Sequence, residues 1–284
     1  MVSRWKEQQR EKVNQALLGI ELELGRFPAA VVEELRQAAP LVRERLSPDE
    51  FCTWAQDGVE LAGHCFRSWE ASIEYFRASP KVLQALAFPY LRQWLRAGLT
   101  LSEESPALSS AYFKGSYQAL VSLWPHQMDA WARLGKALYK GTWRSGLLAS
   151  RFFEVSPKLL PYLSLDDMEA FVSFLDRLAE RSYESALECL AMAGEVLGGL
   201  ERGCRRQFIA LASLLADFNW TDARACFEAG PKVLPRLERG EGVRFLTLAA
   251  RVARDEPREA LPFLMDCSRA LAQVDRALHS SLLK

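Results

Sequence analysis

Five cations and no anion fall between Asp129 and Glu154: Arg133, Lys136, Lys140, Arg144 and Arg151. Tyr139 and Trp143 are interleaved with them. Guanidinium and ammonium groups donate hydrogen bonds to phosphate or carboxylate oxygens, and an aromatic face beside them can hold a ring or a cation. Arg133, Lys136, Tyr139, Lys140, Trp143 and Arg144 are therefore candidate partner-binding residues, suited to a phosphate or an acidic protein surface. A solvated basic helix face would present the same pattern. The stretch is not a P-loop, because Gly135-Lys136 is followed by Ala137 and position 130 is Ala rather than Gly. No G-x-S-x-G nucleophile elbow and no H-E-x-x-H pair occurs. The three histidines, His64, His126 and His279, lie far apart in the chain. His64 and Cys65 are adjacent, and neighbours on a helix diverge by about 100°, which argues against joint coordination. Glu103-Glu104 and Asp166-Asp167 read as charges near helix N-termini rather than as acid–base dyads. No catalytic residue, metal ligand or cofactor is assigned, and the chain is expected not to be an enzyme.

The elements that must position the basic stretch belong to a repeat. Large apolar residues recur at Trp54, Trp94, Trp131, Phe171, Phe208 and Phe245, and a second series follows at Phe76, Phe113, Phe153, Leu190, Phe227 and Leu264. The period is 37 residues, stretched to 40 by two insertions, and each member of the second series precedes the next member of the first by 18 residues. Self-similarity of this length marks stacked helical units, each too small to bury its own apolar face. One unit reads as a helix carrying Phe51, Trp54, Val59 and Leu61, then a helix from Ser68-Trp69 carrying Ile73, Tyr75 and Phe76. A short third helix is expected after Ser79-Pro80, with Ser as cap and Pro in the first turn. Pro40, Pro157 and Pro231 recur in the same register. Trp69, Trp143 and Trp220 open the second helix of their units, so core packing is expected of them. The three extra residues of the third unit fall around Arg144-Ser145-Gly146.

Residues 1–50 read as an N-terminal helical cap and partial repeat, with Lys6, Glu7, Arg10, Glu11 and Lys12 on a charged outer face. Residues 51–284 read as one continuous repeat array. Adding 18 to Leu264 gives Leu282, so another first helix would start where the sequence stops, as expected of one part of a longer protein. The fold class is all-α: a right-handed α-solenoid of the HEAT, armadillo or tetratricopeptide kind, with about six units and the cap.

Lys and Arg balance Asp and Glu at 36 each. A dedicated nucleic-acid or anionic-membrane binder usually has a clear basic excess, so neither partner is expected. No apolar run approaches the roughly 18 residues that span a bilayer, and the polar start lacks a signal-peptide core. A cytoplasmic location follows as the expectation, with the six cysteines as small buried thiols in a reducing compartment.

Three segments, SWEASIEYFRASPKVLQAL (68–86), ALYKGTWRSGLLASRFFEVSPKLLPYL (137–163) and DARACFEAGPKVLPRL (222–237), resemble a bacterial family. These are the helical-repeat N-terminal regions of von Willebrand factor A proteins of the nitric-oxide-reductase-activation type, and the resemblance runs over about 27–275. It implies a non-catalytic adaptor or scaffold whose protein partner is a MoxR-type AAA+ ATPase or a von Willebrand factor A domain, acting in enzyme maturation. The family's D-x-S-x-S metal motif is absent, since Asp266-Cys267-Ser268 breaks off after one serine. The rival from another class is a helical-repeat nucleic-acid-binding protein or DNA glycosylase-like enzyme, which the balanced charge disfavours.

Overall fold

The computed structural model describes residues 2–234 and 241–266. Cys267 and Leu282 lie outside the described residues, as do the side chains of Trp5, Lys6, Glu7 and Arg10. Among the described residues there are fourteen α-helices and no strand. They are α1 (Val2–Leu24), α2 (Ala29–Arg43), α3 (Pro48–Gly63), α4 (Trp69–Val82), α5 (Phe88–Glu104), α6 (Pro106–Ala119), α7 (Met128–Ala137), α8 (Trp143–Val155), α9 (Leu165–Arg181), α10 (Tyr183–Gly198), α11 (Arg202–Phe218), α12 (Trp220–Val233), α13 (Glu241–Asp255) and α14 (Pro257–Met265). None of them is long and apolar enough to cross a membrane.

The chain divides into two compact units, Met1–Pro157 and Lys158–Lys284. In the first, α1, α3, α5 and α7 stack in chain order as one layer, and α2, α4, α6 and α8 stack as a second. In the other, α9, α11 and α13 form one layer and α10, α12 and α14 the second. Within each unit a helix packs on its pair-mate and on the equivalent helix of the next pair, which is the contact pattern of a helical-repeat solenoid. The pair α1/α2 is the cap, and six pairs follow it.

Local sequence sets the helix starts. Ser47 and Glu50 cap each other reciprocally ahead of Pro48 in α3. Ser164, Ser182 and Asn219 accept backbone N–H groups at the starts of α9, α10 and α12. Asp166 and Asp167 stand in the first turn of α9, as expected. Glu103 and Glu104 close α5 instead, because that helix runs to the end of its apolar pattern. Glu104 holds Lys136 at 2.8 Å, and Glu103 faces His64 at 3.7 Å.

The core of the first unit is a column of aromatic rings. Tyr75 lies between Trp54 and Trp94, with centroids 6.5 and 5.3 Å away. Phe76, Phe113 and Phe153 meet Trp54, Trp94 and Trp131 edge-on at 5.3, 4.8 and 4.9 Å. A glycine four residues beyond each tryptophan makes room for the phenylalanine. A Cβ at Gly58, Gly98 or Gly135 would lie 2.0 to 2.1 Å from the Phe76, Phe113 or Phe153 Cζ. Each indole N–H donates to a buried serine three residues past that phenylalanine: Trp54 to Ser79 at 2.9 Å, Trp94 to Ser116 at 2.8 Å, and Trp131 to Ser156 at 2.9 Å. In the other unit Phe171 and Phe208 replace tryptophan, and the serine slot holds Ala193 and Gly230. Donor and acceptor have disappeared together, as a buried polar pair requires.

These bonds overturn the expectation of a third helix after Ser79. Ser79 is no cap; its hydroxyl donates to Tyr75 O at 2.6 Å and accepts from Trp54. Pro80 and Pro40 lie inside α4 and α2, and Pro231 falls within α12. The first two sit in the last turn of their helices, close to where each helix ends. Pro157 lies in a single 3₁₀ turn, Ser156–Lys158.

Candidate partner-binding site

The third repeat departs from its neighbours by one turn of helix. Phe76, Phe113, Leu190 and Phe227 each lie seven residues into their helices, whereas Phe153 lies ten residues into α8. The three inserted residues thus form no loop. Arg144, Ser145 and Gly146 make an extra first turn of α8. That turn carries Trp143 past the packed region, and 74% of its surface is exposed. The expectation of a core role for Trp143 is corrected by this geometry, and Trp220, at 37% exposed, is not a core residue either.

The extra turn is firmly built. Thr142 and Ser145 cap each other, and the Ser145 hydroxyl also accepts from the Lys140 N–H at 2.9 Å. Gly141 has φ +73°, a left-handed conformation that glycine adopts without strain. Tyr139 lies against the start of α8, close to Gly146.

Tyr139 and Trp143 overhang a groove of about 630 Å³ along α4, α6 and α8. Leu147, one turn beyond Trp143 and 49% exposed, extends the apolar wall. The charged lining is Glu70 and Glu74 from α4, Lys114 from α6 and Glu154 from α8. Glu70 pairs with Arg67 and Glu74 with Arg77. Glu154 is 2.5 Å from Arg151 and 3.8 Å from Lys114. Burial pushes the Glu74 carboxyl up, while Arg77 and Lys114 act in the opposite direction. Three carboxylates, each paired with an arginine from its own helix or its start, and one ammonium thus lie beside two rings.

The six residues singled out in the sequence are divided between two places. Tyr139 and Trp143 line the groove. The Arg144 guanidinium lies 5.6 Å from the Trp143 ring centroid. Lys140 belongs to the capping turn. Arg133 and Lys136 instead line a separate cleft between α5 and α7. Helical spacing explains the split, since the basic stretch ends one helix, crosses a turn and starts the next.

Sequence reading missed Asp57, which is 4% exposed on α3. Its carboxylate is 3.5 Å from an Arg92 nitrogen. Burial raises its pKa to about 6, with Arg92 and Arg96 opposing the rise and Glu60 adding to it. The signal was available: Asp57 stands three residues after Trp54, a slot filled by Ala97, Leu134, Phe174 and Leu211 in later repeats. His64 and Cys65 face different partners, Glu103 and Ser102, and form no ligand pair. Cys189, Cys204 and Cys226 are buried free thiols, whereas Cys52 and Cys65 are only half-buried. Burial pushes Cys189 up to about 12 and Cys226 higher still. Among the described residues no group of three or more His, Cys, Asp or Glu side chains could hold a metal ion.

No protein-family model, curated protein or solved structure matches the chain.

Proposed function

We propose that the chain is a protein-interaction module whose first unit holds an extended partner segment in the groove along α4, α6 and α8. The segment carries Lys or Arg beside an aliphatic residue. The observation that supports this most is Trp143, lifted out of the repeat by an extra helical turn and set beside Tyr139 above Glu70 and Glu74. Tryptophan and tyrosine are enriched among the residues that dominate binding energy at protein interfaces. A further turn of helix that buries nothing has no evident use in stacking. The resemblance to von Willebrand factor A proteins of the nitric-oxide-reductase-activation type suggests where such a segment comes from. On that reading it belongs to an AAA+ ATPase or a von Willebrand factor A domain, and the chain acts as an adaptor in enzyme maturation.

The test is fluorescence anisotropy with two labelled ten-residue peptides, one alternating leucine with arginine and one alternating leucine with glutamate. The arginine peptide is expected to bind and the glutamate peptide to fail. Trp143→Ala, and Glu70→Gln with Glu74→Gln, should each weaken binding about tenfold, a loss of about 1.4 kcal/mol. Circular dichroism should stay unchanged for Trp143→Ala, because the indole is outside the core. Arginine-peptide affinity that ignores both sets of substitutions would refute the assignment.

A further inference from the structure

The cleft between α5 and α7 has a charge arrangement that stacking alone does not explain. Arg96 and Arg133 each stand two residues after their tryptophans, Trp94 and Trp131. Equivalent slots of successive repeats are neighbours in a stack, and both arginines line this one cleft. The other repeats place Gln56, Ser173, Ala210 and Thr247 in this slot. Like charges in adjacent slots repel, and such a pair is expected where an anion lies between its members. Lys136 joins them from α7, and His126 from the turn ahead of that helix.

The compensation inside the cleft is incomplete. Arg133 is 3.5 Å from Asp129 and Lys136 is 2.8 Å from Glu104. Arg96 forms no ion pair with any described carboxylate. The one carboxylate whose field it modifies, Asp57, already has Arg92 at 3.5 Å. Gln93 and Thr100 add hydrogen-bonding groups, while Ala97, Leu101 and Ala132 form an apolar floor. The cleft measures about 400 Å³, within the roughly 300–1,000 Å³ usual for small-molecule sites. A bare oxyanion would leave most of it empty.

We infer that this cleft binds a phosphomonoester, its phosphate held by Arg96, Arg133 and Lys136 and its attached group resting on Ala97, Leu101 and Ala132. Two cations of forked geometry and one ammonium suit the three terminal oxygens of such a phosphate. The two alanines of the floor leave space for a compact organic body. The phosphate can come from a free metabolite or from a phosphorylated side chain. The site is formed by the α5–α7 layer, so it stands whether or not the groove along α4, α6 and α8 binds a peptide.

Isothermal calorimetry on the full chain tests the inference, with inorganic phosphate and phenyl phosphate as probes. Phenyl phosphate should bind saturably at one site, roughly tenfold or more tighter than inorganic phosphate, and weaken as salt rises. Arg96→Gln with Arg133→Gln should abolish binding. Thr100→Glu, at an exposed position, should do the same with the fold intact by circular dichroism. A phosphoserine peptide that binds more tightly than phenyl phosphate would assign the source to a phosphorylated protein; one that binds more weakly would assign it to a free metabolite. Absence of saturable phenyl phosphate binding, or binding untouched by these substitutions, would overturn the inference.

Discussion

Removing the Ser116 hydroxyl should destabilise the first unit only while residue 94 is tryptophan. The Trp94 indole N–H donates to Ser116 Oγ at 2.8 Å, and both side chains are buried. In Ser116→Ala the indole N–H has no partner and no water, an omission that costs about 1–3 kcal/mol. Trp94→Phe removes the donor and part of the ring, and a loss of roughly 2 kcal/mol is expected for the space left behind. With phenylalanine at 94, Ser116→Ala should cost close to nothing. The serine then only donates to Tyr112 O at 2.6 Å, a back-bond that competes with the helix. Alanine is also the better helix former by about 0.5 kcal/mol. The coupling between the two sites should therefore be about 1–2 kcal/mol. Urea unfolding followed by tryptophan fluorescence is suited to this, because seven of the eight tryptophans belong to the first unit. At a slope of about 2 kcal/mol per molar, the single Ser116→Ala change shifts the midpoint by about 1 M. Equal shifts in the tryptophan and phenylalanine backgrounds would refute the pairing, and with it the explanation for Phe171 with Ala193 and Phe208 with Gly230.

Gly98→Ala should destabilise by about 1–3 kcal/mol through overpacking, since its Cβ would lie 2.0 Å from Phe113 Cζ; Phe113→Leu in the same chain should recover part of the loss in urea melts. Tyr112→Phe should leave stability unchanged or raise it by about 1 kcal/mol, because the Tyr112 hydroxyl is buried without a hydrogen-bond partner and Phe152 fills the same slot one repeat later; a clear loss in denaturant midpoint would contradict this. Asp57 has its folded-state pKa raised from 3.8 to about 6, so the folded protein binds the proton more tightly than the unfolded chain. Its contribution therefore becomes less favourable as pH rises from about 4 to about 6, by about 3 kcal/mol. Asp57→Asn should stabilise at pH 7 more than at pH 4.5, and a gain independent of pH would exclude the buried carboxylate as its cause.

The repeat was legible because its signal is redundant. Six large apolar residues 37 or 40 apart define a helix layer even when the side chain changes from Trp54 to Phe171. The capping serines and asparagine, Ser47, Ser164, Ser182 and Asn219, mark helix starts for the same reason: the motif is local. Ser79-Pro80 misled because a local signal competed with a distant one. Its hydroxyl serves Trp54, 25 residues away, and only the recurrence of serine three residues past Phe76, Phe113 and Phe153 records that bond. Trp143 misled in a related way. Its distance from Trp131 matched the repeat, but the helix that it begins is one turn longer than its neighbours, and only the distance onward to Phe153 records that.

The positions that depart from the repeat are the ones with chemistry left over. Where a slot holds the same kind of side chain in every layer, packing accounts for it and no ligand need be invoked. Asp57 breaks a slot that is otherwise apolar, the Arg96–Arg133 pair places charge in a slot that is otherwise uncharged, and Trp143 is displaced by an extra turn. Trp143 exposes a ring, Asp57 buries a carboxylate beside Arg92, and the two arginines line one open cleft. All three lie in α3–α8 of the first unit. A solenoid layer gains nothing from a repulsive pair or a displaced tryptophan, and on the proposed readings of the cleft and groove, ligand binding offsets that cost for Arg96, Arg133 and Trp143. Arg96→Gln, which restores a residue of the kind found in other repeats, should therefore stack at least as well as the parent and lose phosphomonoester binding instead.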